Sequence, residues 1–312
     1  MLTLTGGMES THGPSPNDQE QTPYESEPGF TEHTSFHSNV SEISNPSDYK
    51  PLGVTHIISQ GHSLIGVLSD NQVLKYPSDP NNKEYQEVIR KEAAILHRIG
   101  AHPRIVGFLG LNKFGIRLRY YPQGSLRRYL KYHPHVRISK KLDWCEQLAS
   151  AVGLVHSKNV IHCDICLHNV LLNDNLEVLL ADFQGILLSC DNTVALDGLT
   201  RECPKSYMPR EDIHHASVKT DLFALGSAIY HFINGHEVFP ELRNLHDGEE
   251  ILHRFMDGTY PGSDYVASSV VEKCWKGEYT DAKEVSIDLA ELQQAARQAD
   301  SENLKRDCTG QW

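Results

Sequence analysis

Residues 160–185 read VIHCDICLHNVLLNDNLEVLLADFQG. Two short branched runs, 170–173 and 177–181, flank an Asn-rich break and predict a hairpin of two strands. His162, Cys163, Asp164 and Asn169 stand before the first strand, and Asp182-Phe183-Gln184 closes the second. A hairpin brings Asn169 and Asp182 to its open end, where two oxygen acceptors can hold a divalent cation. Asp164 is then left to orient a hydroxyl.

Upstream of this hairpin the pattern changes twice. Residues 54–58, 64–68 and 73–76 are short branched runs broken by glycine and by Ser69-Asp70-Asn71, which predicts an antiparallel meander. Residues 84–99 carry apolar side chains at Val88, Ile89, Ala93, Ile95, Leu96 and Ile99, a helical stripe that Pro103 stops. Two further runs, 105–109 and 116–121, complete five strands and one helix. Lys75 ends one of these strands and Glu92 lies on the helix, a pairing that suits a lysine held to meet phosphate oxygens. Beyond Pro122-Gln123-Gly124 the texture is mostly helical, with helices expected over 125–132, 142–156, 219–234, 248–256, 267–275 and 285–300. The expected class is α+β: a small lobe with a five-stranded antiparallel sheet and one main helix, followed by a larger, mostly helical lobe.

Composition bounds the partners. Lys and Arg total 29 against 41 Asp and Glu, a net charge of −12 that gives no general pull toward a phosphate backbone, so no nucleic-acid partner is expected. No run approaches the ~18 apolar residues of a membrane span, and the first residues lack the basic flank and apolar core of a secretory signal. Seven unevenly spaced cysteines in 312 residues do not suggest a disulfide scaffold, which points to a reducing compartment, cytoplasmic or nuclear. Residues 1–50 hold eight acidic side chains and one basic, Lys50, with few apolar neighbours, and are expected to form a disordered acidic tail. The folded domain is expected over 51–300, with lobes at 51–121 and 122–300, and a C-terminal tail over 301–312.

Taken with their order and spacing, these stretches resemble the eukaryotic-type protein kinase domain, as a divergent member. QVLKYP resembles the strand with the ATP-directed lysine, Lys75, and RKEAAILHRIGAHPRIVGFLG the helix with its paired glutamate, Glu92. VIHCDICLHNVLL resembles the catalytic loop, with Asp164 catalytic and Asn169 metal-binding, and VLLADFQG the magnesium-binding segment at Asp182. SYMPRE resembles the end of the activation segment at Glu211, KTDLFALGSAIYHFINGHEVF a helix whose Asp221 braces the catalytic loop, and VVEKCW a later helix. The resemblance implies ATP and Mg2+ as cofactors. It implies nucleotide contacts from Gly61, Lys75, Leu118, Tyr120 and Tyr121, with Leu118 on the inner wall of the adenine pocket.

The departures concern catalysis. ISQGHSLIGVL offers Gly61 and Gly66 but not the family's full glycine triplet. Cys163 replaces the arginine that reads a phosphorylated activation segment. Cys166 stands where serine/threonine members carry a lysine, and His168 where tyrosine-directed members carry an arginine, so His168 is the candidate for partial compensation. Gln184 replaces the last glycine of the magnesium-binding segment. The function implied is an ATP-dependent protein kinase acting on a serine or threonine, with tyrosine as the alternative acceptor and room for a regulatory protein partner. The other reading is a nucleotide-binding or scaffolding pseudokinase with weak or no phosphotransfer.

Overall fold

The structure, a computed structural model, describes residues 49–69 and 71–309, with side chains through Glu302. The tail expected over 1–50 lies outside the described residues except for Tyr49 and Lys50. Tyr49 already packs, its ring edge-on to Tyr76 at 6.0 Å.

Strands β1 (His56–Ser59), β2 (Ser63–Val67), β3 (Gln72–Pro77), β4 (Phe108–Leu111) and β5 (Ile116–Arg119) form an antiparallel sheet in the order β1-β2-β3-β5-β4. The five-stranded sheet is as expected, with one shift. Residues 105 and 106 do not join β4: Ile105 bridges Leu180 and the Val106 amide donates to Leu180 O at 2.9 Å, tying the small lobe to the large one.

Helix α1 (Lys83–Ile99) starts where the Asn82 side chain accepts the amides of Glu84 and Tyr85, and ends at Gly100 with φ 81°. Its buried face comprises Ile89, Glu92, Ala93, Ile95, Leu96 and Ile99, so the helical period itself carries Glu92 into an apolar stripe.

The large lobe holds α2 (Leu126–Tyr132), α3 (Ile138–Ser157), α4 (Val218–Asn234), α5 (Gly248–Met256), α6 (Ser268–Trp275) and α7 (Ala282–Thr309). Helix α4 is buried nearly throughout, from Thr220 to Ile233, and is the axis around which the lobe packs. Helix α7 runs through Thr309, into the segment read as a tail. The expected hairpin forms as β7 (Val170–Leu172) and β8 (Val178–Leu180). A second small sheet is unanticipated: β6 (Val160–Ile161), β9 (Ile186–Leu188) and β10 (Val194–Asp197), in the order β10-β9-β6. Among the described residues no helix is long and apolar enough to cross a membrane.

Candidate active site

Alternation along β3 sorts its side chains onto two faces. Leu74 and Tyr76 join Leu64 in a small cluster on one side, while Val73 joins the main core with Ile116 and Leu118 on the other. Lys75 shares the face of Val73 and therefore points toward α1. Its ammonium lies 2.7 Å from Glu92 Oε2 and 2.6 Å from Asp182 Oδ1, with the lysine side chain 6% and the glutamate side chain 1% exposed. Burial by itself would lower the Lys75 pKa, but the Asp182 and Glu92 carboxylates outweigh it and hold the group above the ordinary lysine range. The lysine stays charged.

The loop over residues 162–169 is held by α4. Asp221, fully buried on α4, accepts the His162 amide at 2.7 Å and the Cys163 amide at 2.9 Å, and meets His156 Nε2 at 2.9 Å. Cys163 has φ 65°, a left-handed backbone that those amide bonds keep in place. His162 donates from Nε2 to Ala181 O at 3.0 Å, accepts the Asp164 amide at Nδ1 at 3.2 Å, and packs edge-on to Phe183 at 5.0 Å. It is a structural histidine joining the two halves of the site. Asn169 donates to Asp164 O at 3.0 Å and to Asp164 Oδ2 at 2.7 Å, which leaves its amide oxygen as the acceptor end. Gly185 passes so close to the loop that a Cβ there would stand 2.1 Å from Ile161 O, so no other residue fits without a backbone shift.

Gln184 departs furthest from what its sequence position suggests. Its Nε2 donates to Glu92 Oε2 at 3.1 Å, while its Oε1 accepts the Thr200 hydroxyl at 3.3 Å and its carbonyl the Thr200 amide at 3.2 Å. Further along, Arg201 forms a two-pronged pair with Asp197 at 2.7 and 3.1 Å. Glu211, expected to end the segment, is exposed; the buried ion pair here is Arg210–Glu202 at 2.8 Å, and the Arg210 guanidinium also covers the Tyr207 ring at 4.1 Å.

The remaining sequence candidates lie in the small lobe and on the loop before β7. Gly61 lies in the turn between β1 and β2, and Leu118 is buried on β5. Tyr120 and Tyr121 follow β5 directly, but the Tyr120 amide is committed to Asn71 O at 2.8 Å and the Tyr121 hydroxyl accepts the Gly107 amide at 3.2 Å. The Arg119 amide is likewise committed, to Gly107 O at 2.8 Å. His168 has a partner that the sequence did not suggest: Arg127 Nη1 lies 2.9 Å from its Nε2. A guanidinium only donates, so this ring nitrogen is the acceptor and the permanent charge here belongs to Arg127. The contact joins residues 41 apart, beyond any local pattern.

Asp182, Asn169 and Asp164 are hard oxygen donors, the chemistry magnesium prefers. Among the described residues no group of three or more His, Cys, Asp or Glu side chains could hold a metal by itself. Magnesium commonly takes one or two protein carboxylates and completes its shell with phosphate and water, so this donor set fits it.

The family described as "Protein tyrosine and serine/threonine kinase" matches residues 68–286. The chain is 29% identical over 195 residues to the probable serine/threonine-protein kinase samkA of Dictyostelium discoideum, covering 57% of this chain and 30% of that protein. It is 26% identical over 234 residues to the serine/threonine/tyrosine-protein kinase HT1 of Arabidopsis thaliana, covering 70% and 59% respectively. Against the serine/threonine-protein kinase plk-2 of Caenorhabditis elegans the identity is 29% over 184 residues, covering 57% of this chain and 28% of the relative. The chain thus spans less than two thirds of the length of each of these relatives. A family match over most of the chain, falling on the two lobes that converge at Lys75, Asp164 and Asp182, places the protein in the protein tyrosine and serine/threonine kinase family.

Proposed function

We propose that this chain is an ATP-dependent protein kinase that transfers the γ-phosphoryl group to a serine or threonine hydroxyl of a protein substrate. The observation that carries the proposal is the three-way contact of Lys75 with Glu92 at 2.7 Å and Asp182 at 2.6 Å, the arrangement in which the lysine is charged and held in the cleft. Lys75 would meet ATP phosphate oxygens, Asp164 would orient the acceptor hydroxyl and take up its proton, and Asn169 and Asp182 would hold Mg2+. Held there, Mg2+ would supply charge neutralisation at the phosphates. Leu118 would line the adenine pocket, with the backbone after β5 meeting the base. Gly61 would cover the phosphates. The names of samkA and plk-2 support a serine or threonine acceptor.

One observation favours a second reading, a nucleotide-binding or scaffolding protein with little transfer. Cys166 stands on the catalytic loop where a cation is expected, and burial, with Asp164 and Cys203 adding to it, pushes its thiol well above the usual range. It supplies no charge. Arg127, through His168, is the cation at that side of the loop.

The test is transfer from Mg-ATP to a mixed protein substrate followed by phosphoamino-acid analysis. Phosphoserine and phosphothreonine are the expected products. Phosphotyrosine alone would overturn the acceptor class, and Mg-ATP binding with no transfer would establish the second reading.

A further inference from the structure

The family position that the sequence left as a restriction, Gln184, holds a specific connection. Its side chain has one donor end and one acceptor end, and both are used: Nε2 on Glu92 Oε2 at 3.1 Å, Oε1 on the Thr200 hydroxyl at 3.3 Å. The oxygen that receives Gln184 is the same one that receives Lys75. A carboxylate taken out of water persists as an ion only when its lone pairs are met, and Gln184 meets one of them. On the other side the backbone is closely laid. The Thr200 amide donates to Gln184 O at 3.2 Å, Gly198 N donates to Gly185 O at 2.8 Å, and a Cβ on Gly198 would stand 2.2 Å from Gln184 O. Glycine at 198 is therefore what lets the segment come close enough for Thr200 to reach Gln184. Beyond it, Arg201 and Asp197 pair with each other, so charges on this segment are matched within it.

We propose that Gln184 is a positioning residue that joins helix α1 to the segment around Thr200, so that Glu92 is kept on Lys75 by the chain's own side chains and needs no phosphate on that segment. Glycine at 184 could not do this, having no side chain to span the gap. The inference rests on the kinase reading above for its catalytic consequence, but the junction itself is a statement about contact and order.

The experiment therefore has two readouts. The first needs no activity: amide hydrogen exchange followed by mass spectrometry on wild type, Gln184→Ala, Gln184→Gly and Thr200→Val. Removing one hydrogen bond of this kind corresponds to about tenfold in a local opening equilibrium, so exchange should speed up by about that factor in both α1 and residues 197–201 for the two Gln184 variants. Thr200→Val removes only the side-chain bond and should loosen residues 197–201 with a smaller effect on α1. Exchange in α1 unchanged in Gln184→Ala would overturn the proposal. Should the Gln184 variants fail to unfold cooperatively, Thr200→Val alone decides, and protection equal to wild type would count against the junction. The second readout is kinetic: Gln184→Ala should raise KM for ATP by about tenfold while leaving KM for the protein substrate near its wild-type value, because the loss is in lysine placement. An equal rise in both constants would show a general structural role and overturn the positioning claim. Absence of transfer by the wild type would defeat the kinase reading and leave the exchange result to judge the junction.

Discussion

Asp221 and Cys163 lie 58 residues apart and meet through one hydrogen bond, Cys163 N to Asp221 Oδ1 at 2.9 Å, while the other carboxylate oxygen takes the His162 amide at 2.7 Å. Two adjacent backbone donors, fully buried, are satisfied by one side chain of α4. The left-handed turn at Cys163 has no glycine to ease it, so these bonds offset its cost.

Asp221→Asn keeps the shape and removes one acceptor, turning it into a donor that faces an amide. The expected loss is about 2–4 kcal/mol of stability, read from the urea midpoint, with a fall in turnover as the loop relaxes. A midpoint equal to wild type would show that the loop is held by other contacts.

His231, near the end of α4, gives a pH signature. Burial lowers its pKa from 6.5 to about 4, with Glu237 opposing and the Arg127 charge reinforcing the shift. The folded ring is neutral where the unfolded one is protonated, so its contribution is complete above pH 6.5 and is lost as pH falls toward about 4. His231→Gln should remove about 2 kcal/mol of the stability lost between about pH 7 and 4.5, measured by urea unfolding. An unchanged slope over that range would contradict this placement.

The Cys166 side chain is half-buried beside Asp164, and burial with the Asp164 and Cys203 charges holds its thiol pKa well above the free value, whereas Cys190 is exposed. Iodoacetamide should modify Cys166 at least about tenfold more slowly than Cys190 at neutral pH, followed by peptide mass mapping. Comparable rates would mean an open, ionised thiol on the catalytic loop.

Much of this architecture was legible because it is written in local periods. The alternation around Lys75, the helical stripe around Glu92 and the hairpin between Asn169 and Asp182 each fit within a window of one element. The sheet of β6, β9 and β10 was not legible: Val160 and Ile161 pair with residues 186 and 187, and strands of two to four residues carry too little periodicity of their own. Residues 105 and 106 read as strand and are extended, but their partner is Leu180 in the other lobe. The same limit hid Arg127 beside His168 and Gln184 beside Glu92, contacts set by the approach of distant segments. Glu211 was expected as a motif glutamate, and Glu202, which no motif marks, makes the buried ion pair instead.

In the proposed mechanism Lys75, Asp164 and Asp182 perform phosphoryl transfer and do not merely hold a nucleotide. Its most direct test is steady-state transfer from saturating Mg-ATP to a mixed protein substrate by wild type, Asp164→Asn and Lys75→Ala, purified free of other kinases. Measurable wild-type turnover is expected, with a fall of about a hundredfold or more in each variant and both variants still unfolding cooperatively. Equal background rates in all three proteins would contradict the mechanism.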